Sequence, residues 1–107
     1  MIIEDLRKKI DEIDSKIVRL ISERVRIASE MGEEKKKLDI GIKDEQREQS
    51  VLENVRSAAK EQDISQEAIE NIYKGIIAAC RKAQAVEVAF HGETADNSSD
   101  RTYEKEE

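Results

Sequence analysis

The chain has 107 residues, enough for one domain, of which 41% are charged and 3% are aromatic, with no proline. A single cysteine excludes an intrachain disulfide. With only one histidine as well, the chain lacks the residues for a zinc cluster or a histidine-based nucleophilic triad. The net charge of −6 falls mostly on residues 86–107, so residues 1–85, with 17 basic and 18 acidic side chains, are nearly neutral, which argues against a nucleic-acid-binding protein.

Apolar residues recur at helical spacing through most of the chain. Because aromatic residues are so few, the core must be built from isoleucine, leucine, valine and alanine. This pattern predicts an all-α fold with three helices, at about residues 4–37, 44–61 and 65–85. The apolar runs are only a few residues long and no signal peptide is recognisable, so we expect a cytoplasmic protein with no membrane association.

The first helix carries a seven-residue repeat, the pattern of a helix that packs along one stripe. The positions of this stripe, spaced alternately four and three residues apart, are Leu6, Ile10, Ile13, Ile17, Leu20, Arg24, Ile27, Met31, Glu34 and Leu38. Eight of these ten positions are apolar. Gly32 costs only about 1 kcal/mol relative to alanine, so we expect one uninterrupted helix.

The length of this helix predicts an oligomer. A helix of about 33 residues is about 50 Å long, whereas a compact domain of this size is roughly 30 Å across. The stripe would then extend beyond the rest of its own chain, and bare apolar stripes aggregate. We therefore expect a homodimer in which a second copy covers the stripe.

The second and third helices follow two breaks. Gly41 is expected to permit the turn after the first helix. Ser65 is a good N-cap for the third helix, which follows the second break. From His91 on, the sequence is acidic and low in hydrophobicity, so residues 86–107 are predicted to be a disordered tail whose short apolar start could extend the third helix by a turn or two.

Each predicted helix has polar residues where its pattern asks for apolar ones. Each of these polar residues, taken alone, has an ordinary structural explanation. An arginine can set helix register, and a lysine run is usually solvated. Charged residues can form an exposed first turn, and Cys80 is most simply a small core residue. Taken together, however, they would line one pocket for a small dianion, because arginine binds carboxylates through two parallel hydrogen bonds. These inward-facing residues are Arg24, Lys35, Asp44, Arg47, Glu48 and Gln84.

Several of these residues also carry a family resemblance. Residues 6–17 and 20–24, then Lys35, the Asp44-x-x-Arg47-Glu48 motif and Gln84, resemble in order and spacing the all-helical class of chorismate mutase. The resemblance covers about residues 4–85. It implies an intertwined homodimer of three-helix chains with two active sites. It also implies a unimolecular rearrangement of chorismate to prephenate that needs no cofactor and no metal.

The resemblance also implies a role for each matching residue. Arg7 (from the second subunit), Arg24 and Arg47 would bind or flank the substrate carboxylates. Lys35 and Gln84 would hydrogen-bond the ether oxygen, and Glu48 with the backbone around Asp44 would hold the ring hydroxyl. Cys80 departs from the pattern, because the best-known bacterial member has a serine there, and a thiol is a weak donor to a carboxylate.

The spacing of Arg7 and Arg24 supports a site shared by two chains. The two residues are 17 positions apart, about 25 Å along one helix, so they do not hold one small molecule from the same chain. Two other functions stay open from the sequence. One is an isochorismate pyruvate lyase on the same scaffold, and the other is a helical dimerisation or adaptor module without chemistry.

Overall fold

The computed structural model describes residues 2–89, which form three helices and no strand. The helices are α1 (Ile2–Leu38), α2 (Glu45–Glu61) and α3 (Gln66–Ala89). The predicted all-α fold and its three helices are confirmed. α3 continues about one turn beyond the predicted end at residue 85. The rest of the predicted acidic tail lies outside the described residues.

α1 begins with Glu4 and Asp5 in its first turn and ends with three lysines in its last turn. These charges oppose the partial charges at the two helix ends. After Leu38, Asp39 adopts a left-handed conformation with φ of 59°. The backbone N–H of Ile40 donates to the Lys35 carbonyl at 2.9 Å, which satisfies a carbonyl in the last turn. α1 therefore ends at Leu38, where the helical pattern of the sequence also stops, but the left-handed residue of the turn is Asp39 and not the expected Gly41.

α2 and α3 have conventional caps. Asp44 precedes α2, and its side chain accepts a hydrogen bond from the Arg47 backbone N–H at 3.0 Å. Asp63 ends α2 in a left-handed conformation with φ of 60°. Ser65 caps α3, as predicted, by accepting from the Ala68 N–H at 3.1 Å. Two aspartates thus make the left-handed turns, and two polar side chains make the N-caps.

α3 lies between the other two helices and packs against both. Its contacts with α1 run in the same order along both helices, from Arg24 with Cys80 to Lys35 with Gln84, so these two helices are parallel. Its ion pairs with α2 run in opposite order, so α2 and α3 are antiparallel. Within the described residues the buried apolar core is small and consists of Ala28, Ala59, Ile77 and Cys80.

The first half of α1 projects away from this core. Every residue from Ile2 to Leu20 is exposed, including the stripe residues Ile10 and Ile13 at 55% and 53%. The described residues measure 53 × 33 × 17 Å, with a radius of gyration of 16.6 Å. A compact domain of this length would have about 12 Å. No helix between residues 2 and 89 is both long and apolar enough to cross a membrane.

Candidate active site

A cleft of about 280 Å³ opens where α1, α2 and α3 meet. Its walls contain most of the polar residues that the sequence placed on inward faces. Those residues are Arg24, Lys35, Asp44, Arg47, Glu48, Cys80 and Gln84. Apolar side chains from all three helices complete the lining, among them Ile27, Val51 and Ile77. The three helices therefore bring together seven of the eight predicted site residues.

Arg24 enters the cleft from the middle of α1 and is held by α3. Its Nη1 donates to the Sγ of Cys80 at 3.0 Å, and its guanidinium carbon lies 5.9 Å from the centre of the Tyr73 ring. Cys80 is buried and is a free cysteine. Sulfur is a weak acceptor, so this contact orients Arg24 while leaving its other N–H groups for a bound anion.

Lys35 and Gln84 form a second hydrogen bond between α1 and α3. The Lys35 Nζ donates to the Gln84 Oε1 at 3.0 Å and to the Ile42 carbonyl at 2.8 Å. An ammonium has three donors, so one remains for a ligand. With its oxygen occupied by Lys35, Gln84 keeps its amide N–H groups for the same ligand. Both side chains are partly buried, which strengthens such contacts.

Gly32 lets α1 and α3 come this close. A Cβ atom on Gly32 would lie 2.8 Å from the Gln84 carbonyl oxygen and 2.9 Å from its Cα. In proteins, a Cβ atom essentially never lies less than 3.0 Å from a heavy atom of a packed neighbour. The sequence identified Gly32 only as a tolerated helix residue. Its structural role is to let the Gln84 backbone pack directly on α1, one turn from Lys35.

The N-terminus of α2 supplies the opposite wall. Asp44 is the N-cap and uses its carboxylate on the Arg47 backbone. The Arg47 guanidinium is exposed and has no hydrogen bond or ion pair with any residue between 2 and 89. An arginine at the mouth of a cleft with all its donors free is well suited to a carboxylate.

Glu48 and Arg81 form a bidentate ion pair across the cleft between α2 and α3. The Arg81 Nη2 donates to the Glu48 Oε1 at 2.8 Å and to its Oε2 at 2.9 Å, and the Arg81 Nε donates to Oε2 at 3.1 Å. The hydrogen bond to Glu48 raises the pKa of Arg81 above its ordinary value, and the Glu48 charge adds to the effect. Arg81 is not among the site residues predicted from the sequence. The spacing of Ile77, Arg81 and Gln84 places all three on one face of α3 and was the available signal.

Arg7 is the predicted site residue that the chain does not bring to the cleft. It lies in the exposed first half of α1, and it is not among the lining residues. Arg7 and Arg24 both lie on the single helix α1, which separates them by about 25 Å, as the sequence spacing predicts.

The charged groups of the cleft favour a dianion. Arg24, Lys35, Arg47 and Arg81 are cationic, whereas Asp44 and Glu48 are anionic, so the lining carries two positive charges in excess. Within residues 2–89, the histidine, cysteine, aspartate and glutamate side chains form no cluster that could hold a metal ion. The arginines can bind two carboxylates of one ligand. The donors of Lys35 and Gln84 can both point at a single oxygen atom of the same ligand.

The chain is similar in sequence to known proteins over most of its length. The family model described as chorismate mutase type II matches residues 6–85. A bifunctional chorismate mutase/prephenate dehydratase of Aquifex aeolicus is 37% identical over 97 residues, which are 87% of this chain but 27% of that protein. A chorismate mutase of Methanocaldococcus jannaschii is 38% identical over 73 residues, which are 68% of this chain and 74% of that protein.

Proposed function

This chain belongs to the chorismate mutase type II family, and on that premise we propose that it rearranges chorismate to prephenate. The reaction is an intramolecular Claisen rearrangement, in which an ether C–O bond breaks as a C–C bond forms. It lies in the biosynthesis of phenylalanine and tyrosine. The enzyme is then an isomerase whose work is to bind, orient and stabilise charge.

The observation that carries this proposal is the Lys35–Gln84 pair at 3.0 Å in a cleft with an excess of positive charge. Negative charge grows on the ether oxygen as the C–O bond breaks. The remaining Lys35 donor and the Gln84 amide N–H are fixed before the substrate arrives, so they stabilise this charge without reorganising. Removing one such donor typically lowers the rate by about 10²–10³-fold.

The arginines and Glu48 would hold the rest of the substrate. Arg24 and Arg47, both with free donors, bind or flank the two carboxylates. Cys80 accepts a hydrogen bond from Arg24 and orients it, so its weak S–H is not needed as a donor to a carboxylate. The Glu48 carboxylate accepts a hydrogen bond from the ring hydroxyl, next to the backbone around Asp44. These contacts hold the compact conformer in which the two reacting carbons are close, and holding it supplies part of the rate.

The second subunit completes the site in this proposal. The exposed apolar stripe from Leu6 to Leu20 supports a homodimer, because a second copy would remove it from water. An antiparallel partner helix would bring the Arg7 of one chain to the cleft of the other. Each dimer then has two sites, and each site draws on both chains. We also retain the prediction that the protein is cytoplasmic.

The proposal is tested by adding purified protein to chorismate and following the loss of the diene absorbance. The mixture is then acidified and examined for phenylpyruvate, which derives from prephenate. Turnover with prephenate formed is the expected result. A folded dimer that leaves chorismate unchanged would contradict the proposal. Isochorismate is assayed in parallel, because release of pyruvate from it would indicate the lyase instead.

A further inference from the structure

We infer that Arg81 is a positioning residue for the substrate hydroxyl and acts by holding the carboxylate of Glu48. This inference rests on the proposed function and deepens it, because it adds to the site a residue that the sequence did not identify. The ligand it serves is a cyclic dianion that carries a secondary hydroxyl group. Arg81 itself need not touch this ligand.

The geometry of the pair supports this role. Three hydrogen bonds of 2.8–3.1 Å join the two side chains and use both carboxylate oxygens. Such a fork allows few orientations of the carboxylate plane. A carboxylate has about four lone-pair sites, so Glu48 still has one for a hydroxyl donor. Arg81 thus fixes the direction from which the ring hydroxyl must approach.

The charge of Arg81 matters as much as its hydrogen bonds. Without Arg81, Glu48 would present an uncompensated negative charge to a ligand with two carboxylates of its own. Its side chain is only 24% exposed, so water screens this charge incompletely. Arg81 neutralises Glu48 while leaving it an acceptor. The cleft can therefore recognise a hydroxyl group and attract a dianion at the same time.

A second ion pair between α2 and α3 serves as a control, because it can stabilise the packing of these helices but lies away from the cleft. Arg56 and Glu70 also join α2 to α3, at 2.6 Å, and their exposures of 38% and 25% resemble the 38% and 24% of Arg81 and Glu48. The hydrogen bond from Arg56 lowers the pKa of Glu70 below its ordinary value, which favours the charged form of that carboxyl. Neither residue lines the cleft between the three helices. Loss of Arg56 therefore reports the cost of breaking an α2–α3 ion pair away from the substrate.

The experiment compares Arg81→Met with Arg56→Met in the full-length protein. We measure kcat and KM for chorismate, the affinity for prephenate by calorimetry, and Tm. The ring hydroxyl is present in substrate, transition state and product. Weakening its contact with Glu48 should therefore affect binding rather than kcat. We expect Arg81→Met to raise KM and the Kd for prephenate by about 10- to 100-fold with kcat changed much less. Arg56→Met should lower Tm similarly but change KM and Kd by no more than about twofold.

Two further variants test the coupling. Arg81→Lys restores a positive charge without the planar fork and should recover only part of the affinity. In a Glu48→Gln background, removing Arg81 should have little further effect, because the carboxylate that it holds is already gone. Full additivity of the two changes would overturn the inference, as would equal KM and Kd changes in Arg81→Met and Arg56→Met.

The two proposals fail in different ways. A wild-type protein that binds prephenate without converting chorismate would overturn the proposed activity, and Arg81 would still be judged by the prephenate affinities. A wild-type protein that neither converts chorismate nor binds prephenate would overturn both.

Discussion

Lys35 connects more parts of the cleft than any other side chain described above. It joins α1 to Gln84 on α3 and to the Ile42 carbonyl in the loop before α2, at 3.0 and 2.8 Å. In the sequence, Lys35 belongs to a run of three lysines, and only the fold shows that it differs from the other two by lining the cleft. Lys36 is exposed, whereas Lys37 pairs with Glu34 on the surface.

We predict that Lys35→Ala lowers kcat by about 10²–10³-fold, equivalent to about 3–4 kcal/mol of transition-state stabilisation. Steady-state kinetics with chorismate measure the loss, while circular dichroism and light scattering show whether the variant stays folded and dimeric. Lys36→Ala is the control, since it removes a neighbouring lysine that lies outside the cleft. A folded Lys35→Ala dimer with unchanged kcat would reject the catalytic role of Lys35 and favour the adaptor function.

Gly32 determines how closely α3 approaches α1. We predict that Gly32→Val destabilises the protein by about 1–3 kcal/mol, because a side chain there would overlap the Gln84 backbone. It should also lower kcat, since Gln84 moves away from Lys35. Urea denaturation and chorismate kinetics measure the two effects.

Gly75→Val is the matched control for this prediction. A Cβ on Gly75 has nothing within 4 Å in the described structure. Valine has a slightly better helix propensity than glycine, so stability should change by no more than about 0.5 kcal/mol. If both valine variants lose the same stability and activity, close packing at Gly32 is not the cause.

The helices end by the same device in two places. Asp39 and Asp63 are left-handed, and each is followed by a backbone hydrogen bond from an isoleucine N–H to a carbonyl five residues earlier. This is the Schellman arrangement, in which glycine is the usual residue because it has no Cβ to clash. Aspartate tolerates this conformation better than most residues but at some cost in free energy.

We predict that Asp63→Gly stabilises the protein by up to about 1 kcal/mol, because glycine adopts a positive φ without strain. Asp63 is preferable to Asp39 for this test because Asp39 begins the loop whose Ile42 carbonyl accepts a hydrogen bond from Lys35 in the cleft. The free energy of unfolding in urea is the measurement. Asp63→Ala is the control, since alanine keeps the Cβ, and a stabilisation by alanine as large as that by glycine would contradict the explanation.

Within one chain, the apolar residues of the α1 stripe from Leu6 to Met31 are exposed, which is why a second copy is part of the proposed function. We predict that Ile10→Glu converts the proposed dimer to a monomer, because burying an unpaired carboxylate in an apolar interface costs several kcal/mol. Size-exclusion chromatography with light scattering measures the change, and activity should fall with it. Ser15→Glu adds the same charge about 140° around the helix from Ile10 and should leave the dimer intact.

Mixing two inactive variants tests whether Arg7 crosses between subunits. Arg7→Ala and Lys35→Ala each damage both sites of their own homodimer. In a mixed dimer, one of the two sites would contain both native residues. Random reassociation of equal amounts should therefore recover about a quarter of the wild-type sites in a symmetric dimer. Recovery close to zero, with mixed dimers present by mass spectrometry, would show that Arg7 does not act at the site of the other subunit.

Helical periodicity was sufficient to predict much of this protein. It assigns each residue to a face of its helix, and therefore indicated the three helices, the long stripe of α1 and the inward direction of Arg24, Lys35, Glu48 and Gln84. It also indicated that Arg7 and Arg24 are too far apart to share a ligand within one chain. These are local properties of the chain, set by about 3.6 residues per turn and 1.5 Å per residue.

Only the tertiary structure decided what each face meets. The pairing of Arg81 with Glu48, the contact of Cys80 with Arg24 and the close crossing at Gly32 all join residues more than 30 positions apart. The turn after α1 has its left-handed residue at Asp39 rather than at Gly41, and this depended on the path that the chain takes into α2. Spacing along one helix contains no information about how deep or at which point a second helix crosses it. That point is determined by packing, and here a glycine allowed the helices to meet where Lys35 reaches Gln84.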